Sequence, residues 1–149
     1  MLAGITLISC SSQKTSHDVS DISDLKEISF LTADSITVYG DLLFKDPSFP
    51  TILVFHQGGS NALAEYTSII NRLLNELPEL NILALDQRSG GQTYGSYNRT
   101  VFHLSPYKNH PICAAYSDLE AALNYIAKRD VSGPVILWGA VTAAAWQYN

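Results

Sequence analysis

The sequence has 149 residues, of which 46% are hydrophobic and 15% are charged, and these values are typical of one compact domain with a buried core. The formal net charge is −5 and there is no basic cluster, which argues against binding to nucleic acid. No apolar run is long enough to span a bilayer. The two cysteines, Cys10 and Cys113, lie far apart and the histidines form no ligand-spaced pair, so we expect no disulfide framework, no metal and no cofactor.

The first 24 residues differ in character from the rest of the chain. Residues 1–9 are mostly apolar and lead into Leu7-Ile8-Ser9-Cys10, and residues 11–24 are rich in Ser and Asp, as in a flexible tether. This pattern resembles the lipobox of bacterial lipoprotein signal peptides. The resemblance implies that Cys10 becomes the lipidated first residue after cleavage and holds the protein at a membrane of the bacterial cell envelope. The alternative is a disordered start that contains a chance cysteine.

Two strands are predicted at the start of the folded part. Apolar and polar side chains alternate in residues 26–31, and residues 36–44 form a second β-rich run. The short turn Ala33-Asp34-Ser35 separates them. Strands joined by so short a turn must be antiparallel neighbours.

A strand, a loop and a helix follow at the centre of the chain. The run Thr51-Ile52-Leu53-Val54-Phe55 is apolar on both faces, which predicts a strand covered on both sides. The polar loop His56-Gln57-Gly58-Gly59-Ser60-Asn61 lies at its carboxyl end, where open α/β sheets place their sites. An apolar stripe then predicts an amphipathic helix capped by Ser60 or Asn61. The stripe consists of Leu63, Tyr66, Ile69, Ile70, Leu73, Leu74 and Leu77.

The remaining elements alternate between buried strands and helices. Residues 81–85 predict a strand, which the glycine loop Asp86-Gln87-Arg88-Ser89-Gly90-Gly91 follows. Residues 92–111 predict a long irregular loop. Apolar residues between Ala115 and Ile126 predict a helix, and Cys113, just before it, is expected to be a small buried thiol. Residues 135–138 predict a last buried strand that ends at Gly139.

Three features in this order resemble the amino-terminal half of the α/β-hydrolase fold, closest to dienelactone-hydrolase-like or peptidase-like members. Residues 56–59 resemble an HG-type oxyanion loop, residues 86–91 resemble a D-x-R-G-x-G loop, and residues 135–139 resemble the strand before the nucleophile elbow. The resemblance covers roughly residues 25–139. It implies an incomplete α/β-hydrolase fold over residues 25–149, with a mostly parallel sheet and an antiparallel first hairpin.

The same resemblance makes predictions about catalysis. The family's G-x-S-x-G elbow falls on Gly139-Ala140-Val141-Thr142-Ala143, so Val141 occupies the nucleophile position. The two backbone amides of the oxyanion hole fall on Gln57 and Thr142. No residue after Val141 is His, Asp or Glu, so the acid and base of the triad are missing as well. Full-length relatives cleave esters or peptides by serine acyl transfer. This chain is therefore expected to be an inactive amino-terminal part with serine-hydrolase ancestry, produced by a frameshift or a split gene.

Other residues of the two glycine loops are expected to shape them rather than to react. They are His56, Gly58, Gly59, Asp86 and Arg88. His56 is expected to be a hydrogen-bonded structural histidine, and Asp86 and Arg88 to form a local ion pair. The alternative function is a non-catalytic surface lipoprotein that binds an anion or small molecule through the backbone amides of residues 58–61.

Overall fold

The computed structural model describes residues 21–95, 97–104 and 112–139. The strands are β1 (Lys26–Leu31), β2 (Thr37–Leu43), β3 (Thr51–Phe55), β4 (Asn81–Asp86) and β5 (Val135–Gly139). The α-helices are α1 (Ala62–Glu76), α2 (Arg99–His103) and α3 (Tyr116–Ala127). Three short 3-10 turns lie at Ile22–Asp24, Thr93–Gly95 and Ile112–Ala115. Among these residues, no helix combines the length and apolar character that crossing a bilayer requires.

The described strands form one sheet in the order β1-β2-β4-β3-β5. β2 pairs antiparallel with both β1 and β4, so the predicted antiparallel hairpin is confirmed. β3 pairs parallel with β4 on one side and with β5 on the other. In this register Phe55 lies opposite both Leu85 and Gly139. The carboxyl ends of β3, β4 and β5 therefore meet at one edge of the sheet, which we call the carboxyl edge.

β3 is covered on both faces, as its apolar composition predicts. Leu53 and Phe55 belong to a core shared with α3, and Ile52 and Val54 belong to a second core shared with α1. All five residues of β3 are buried. Alternate side chains of a strand point to opposite faces, so each face of β3 is fixed by a different helix. The loop that follows β3 therefore starts from a rigid position.

Helix α1 begins where its cap is predicted. The side-chain oxygen of Asn61 accepts a hydrogen bond of 2.9 Å from the Ala64 N–H, which satisfies one of the free donors of the first turn. The helix buries Tyr66, Ile70 and Leu74. The outer members of the predicted stripe face solvent more than expected, because Ile69 and Leu77 are exposed.

The stretch predicted as a long irregular loop contains a helical turn, which is a correction to the sequence analysis. Asn98 caps α2 by accepting a hydrogen bond of 2.9 Å from the Val101 N–H. A helix of five residues is too short to show apolar periodicity, so its sequence carried only the capping signal.

Candidate functional site

Two loops meet at the carboxyl edge of the sheet. The first loop, residues 56–61, follows β3, and the second loop, residues 87–91, follows β4. Their backbones are bonded directly, because the Gly59 N–H donates to the Ser89 oxygen at 2.8 Å and the Gly91 N–H donates to the Ser60 oxygen at 2.9 Å. The two loops therefore form one connected unit beside the start of α1.

His56 connects the first loop to the second from inside the protein, where its exposed fraction is 1%. Its Nε2 accepts a hydrogen bond of 2.8 Å from the Gln87 N–H, so its Nδ1 carries the proton and donates to the Gln57 oxygen at 2.7 Å. Burial lowers the pKa of His56, which keeps the ring neutral. With both ring nitrogens engaged, His56 is in no position to accept a proton from a substrate or nucleophile.

Asn98 also holds the two loops together, and the sequence analysis did not identify it. Its buried side-chain amide lies 3.2 Å from the Ser60 oxygen, 3.0 Å from the Gln87 oxygen and 3.1 Å from His56 Nε2. The sequence offered one signal for Asn98, which was that asparagine is a common helix cap. That signal does not indicate what the amide group of the side chain contacts.

The glycines of the two loops differ in what they require. Gly59 has a φ of 81°, a conformation that side chains with a Cβ rarely adopt. A Cβ on Gly90 would lie 2.5 Å from the Ser60 oxygen and would also strike the Asn98 side chain. At Gly58 the nearest atom to an added Cβ is the Ser89 oxygen at 4.0 Å, so the space there is sufficient.

Asp86 lies at the end of β4, where it bonds to two neighbouring elements. Its Oδ1 accepts from the Ala62 N–H at 3.1 Å, at the start of α1. Its Oδ2 accepts from Arg99 Nε at 2.8 Å, and Arg99 is the first residue of α2. Arg99 also bonds Asp41 of β2, so one guanidinium joins the second strand, the fourth strand and α2.

Arg88 is held on the opposite side of the sheet from Asp86. Its Nε donates to Asp118 Oδ1 of α3 at 2.8 Å, and its Nη2 donates to Asp34 Oδ1 in the β1–β2 turn at 2.9 Å. The hydrogen bond from Arg88 holds the pKa of Asp34 well below its usual range. The predicted ion pair between Asp86 and Arg88 is therefore wrong. β4 ends at Asp86, which faces α1, whereas Arg88 lies beyond the strand beside α3.

The candidate oxyanion amide, the Gln57 N–H, already has a partner. It donates to Glu65 Oε2 of α1 at 3.0 Å. The Gln57 side chain donates from Nε2 to the Tyr94 hydroxyl at 2.8 Å, and Tyr94 has a positive φ of 69°. This amide therefore lies at the carboxyl edge, where the resemblance predicts it, but it is bonded to a carboxylate of the same chain.

A cavity of about 370 Å³ opens beside these loops at the start of α1. The residues that line it are Asn61, Leu63, Asp86, Gly95, Tyr97 and Arg99. Its polar wall is therefore formed partly by the Asp86–Arg99 ion pair, and its apolar wall by Leu63 and the Tyr97 ring.

Some predicted site residues lie outside the part of the chain that the structure describes. They are Cys10, Val141 and Thr142, so their predicted roles stay predictions. Cys113 is described, and it is exposed in the 3-10 turn before α3, so the expectation of a buried thiol is wrong. Cys113 lies in the 3-10 turn, of which Ala115 is buried, and the buried residues of α3 begin only at Asp118.

Comparison with known proteins gives matches only at the level of structure. No family model and no curated protein matches the sequence. Among solved structures, the α/β hydrolase GrgF from Penicillium sp. sh18 is 18% identical with a TM-score of 0.61, over 84% of this chain and 42% of that chain. The esterase Pf2001 from Pyrococcus furiosus is 23% identical with a TM-score of 0.53, over 77% of this chain and 42% of that chain.

An α/β hydrolase from Novosphingobium aromaticivorans gives a similar result, with 18% identity and a TM-score of 0.54, over 80% of this chain and 36% of that chain. This chain thus spans less than half the length of each of the three proteins. At these identities the likeness concerns the fold. The strand order, the parallel β4-β3-β5 unit and these matches together show that the chain has an incomplete α/β-hydrolase fold.

Proposed function

We propose that this chain is the amino-terminal part of an α/β hydrolase for ester or peptide bonds, and that it does not turn over substrate by itself. The observation that supports this most is the position of the first loop. The Gln57 amide follows β3 at the carboxyl edge, and Gly139, where the elbow motif begins, lies opposite Phe55 in the same register. Residues 56–59 and Gly139 thus lie at one edge, and this supports the proposal that they correspond to an oxyanion loop and to the beginning of a nucleophile elbow.

The expected inactivity rests on the chemistry of the nucleophile position. Acyl transfer needs a side chain with a lone pair and a base that takes its proton, and Val141 has no lone pair to attack with. His56 cannot substitute as the base, because both of its ring nitrogens are engaged inside the loop unit. Loss of triad members leaves only the residual effects of binding and the oxyanion hole, several orders of magnitude below full activity.

An assay with p-nitrophenyl acetate tests this proposal. We expect no turnover above the buffer rate from the chain as printed, with or without a serine-directed inhibitor. The variant Val141→Ser is expected to remain inactive, because it restores a hydroxyl without a base. Turnover that the inhibitor abolishes would show that a nucleophile lies elsewhere in the chain and would refute the proposal.

The proposal also places the protein on a membrane surface of the bacterial cell envelope through lipid on Cys10. It is supported by Leu7-Ile8-Ser9-Cys10 and the Ser- and Asp-rich stretch after it. Two acyl chains on one cysteine are enough for stable anchoring without a spanning helix. Expression in a bacterium with the lipoprotein pathway, followed by detergent partitioning of the wild type and Cys10→Ala, tests it. Equal partitioning of the two proteins would exclude the anchor.

A second candidate function is non-catalytic binding of a small molecule by the same surface lipoprotein. The cavity of about 370 Å³ beside α1 favours it. Anion binding by the backbone amides of residues 58–61 has less support, because the Gly59 and Ser60 N–H groups already donate to the Ser89 and Gln57 oxygens. Calorimetric titration with inorganic phosphate distinguishes anion binding by the backbone amides from binding of a small molecule in the cavity. Saturable binding in the millimolar range would support the anion site, and its absence would leave only the cavity as the binding site.

A further inference from the structure

The bond between Gln57 and Glu65 has a consequence for any anion that approaches the first loop. A backbone amide carries one hydrogen, and here that hydrogen is directed at Glu65 Oε2 at 3.0 Å. We infer that the Gln57 amide is an anion site that holds its own anion, the Glu65 carboxylate. An external carboxylate or an acyl oxyanion uses this amide only after Glu65 has left it. The inference rests on the proposed function insofar as it treats Gln57 as the oxyanion donor.

The position of Glu65 favours this bond. Glu65 lies in the first turn of α1, where the positive end of the helix dipole favours a negative charge. A hydrogen bond from an amide to a carboxylate is about twice as strong as one between neutral groups. The Glu65 side chain is half-buried, so water competes with the bond less than it would at a fully exposed site.

Neighbouring acceptors are already committed to other donors, so they are not replacements for Glu65. Asp86 accepts from Ala62 and from Arg99, and the Asn61 side-chain oxygen accepts from Ala64. His56 is neutral, because burial lowers its pKa. Removal of the Glu65 carboxylate is therefore expected to leave the Gln57 N–H free to donate a hydrogen bond to a small carboxylate from solution.

Chemical rescue with acetate tests the inference on the full chain, with hydrogen exchange read by mass spectrometry of peptides that cover residues 55–60. In Glu65→Ala, the Gln57 amide is expected to exchange roughly tenfold faster than in the wild type, as the loss of a charge-assisted hydrogen bond implies. Added acetate is expected to restore the protection with saturation, whereas chloride at equal ionic strength does not.

Two controls accompany this measurement. Glu76→Ala removes a carboxylate from the exposed side of the same helix, where it pairs with Arg72, and is expected to leave Gln57 exchange at the wild-type rate with or without acetate. The Gln87 N–H, which donates to His56, reports whether the two loops remain folded in each variant.

The inference is overturned if acetate fails to protect Gln57 in Glu65→Ala while Gln87 remains protected. If Glu65→Ala exposes both amides, Glu65→Met becomes the deciding variant, because it keeps the length of the side chain and removes both carboxylate oxygens. Saturable protection of Gln57 by acetate in that variant supports the inference, and its absence overturns it. Since the readout is exchange at Gln57, its outcome is independent of the ester assay, in which turnover would refute the proposed inactivity and would leave the exchange result unchanged.

Discussion

Two regions of the sheet are stabilised in different ways. At the carboxyl edge, the buried His56 and Asn98 side chains bind the two loops to each other. Arg88 and Arg99 each bond at least two carboxylates of neighbouring elements. At the β5 edge the strand has one described neighbour, β3, and its side chains Val135 and Ile136 are 42% and 45% exposed.

The contrast shows which parts of the fold depend on specific partners. Burying a charge is costly unless its hydrogen bonds are complete, so the loop unit is sensitive to the loss of any one partner. β5 is held by backbone hydrogen bonds to β3 and by Leu137 and Trp138, which pack against the two cores. Single changes at the exposed Val135 and Ile136 are therefore expected to affect stability little. The same changes are expected to alter pairing of the β5 edge with other molecules more than they alter stability.

Arg88→Ala is expected to have the largest effect on the loop unit. The variant leaves Asp118 buried without its counter-charge, and breaking a buried ion pair in this way typically costs about 3–5 kcal/mol. The Arg88 and Asp118 side chains are only 1% and 0% exposed. The free energy of unfolding from urea titration measures the effect. Arg72→Ala, which removes an exposed partner of Glu76, is the matched control and is expected to change little. Similar decreases in the free energy of unfolding in both variants would show that the loop unit does not depend on this buried ion pair.

Gly90→Ala is expected to be the next largest change. A Cβ at this position lies 2.5 Å from the Ser60 oxygen, so the two loops must separate, at a cost of about 1–3 kcal/mol. Gly58→Ala is the control, because a Cβ there has 4.0 Å of space. Thermal unfolding of both variants decides the point, and equal melting temperatures would mean that the loops are not held together as described.

The stability of the loop unit is also expected to depend on pH. Burial holds the pKa of His56 below its ordinary value of 6.5, so the unfolded chain takes up a proton at a higher pH than the folded one. The contribution of neutral His56 to the free energy of unfolding is complete above pH 6.5, and it is lost as the pH falls below that value. Asp34, whose pKa is lowered by Arg88, adds a second loss below its ordinary value of 3.8. Urea titrations between pH 8 and 5 are expected to show the first loss in the wild type and not in His56→Asn.

Most of the fold was predictable because it depends on local patterns. The bounds of β1 and β3 follow from apolar runs and turns, and the meeting of the two loops follows from parallel strands that end at one edge. Helix α2 was missed because residues 99–103 are too few to show a period.

The partners within the site were much less predictable. Arg88 was assigned to Asp86, two positions away, but it bonds Asp118 and Asp34, which lie 30 and 54 residues away in sequence. Which carboxylate is nearest depends on how α3 and the β1–β2 turn are placed over the end of β4. The bond from Gln57 to Glu65 depends likewise on the conformation of the first loop. Local sequence patterns carry no information about such contacts.

Ile136→Lys is expected to have the smallest effect on stability, and it tests the other region in the comparison. Ile136 is 45% exposed, so the change in unfolding free energy is expected to stay within about 0.5 kcal/mol. An exposed apolar edge strand favours pairing with another chain, and a lysine on it opposes that pairing. The wild type is therefore expected to self-associate with rising concentration in sedimentation velocity, and Ile136→Lys to do so less. Ile69→Lys, on the exposed side of α1, is the control, because it adds the same charge away from any sheet edge. If self-association decreases equally in both variants, the cause is the change in net charge and not the β5 edge.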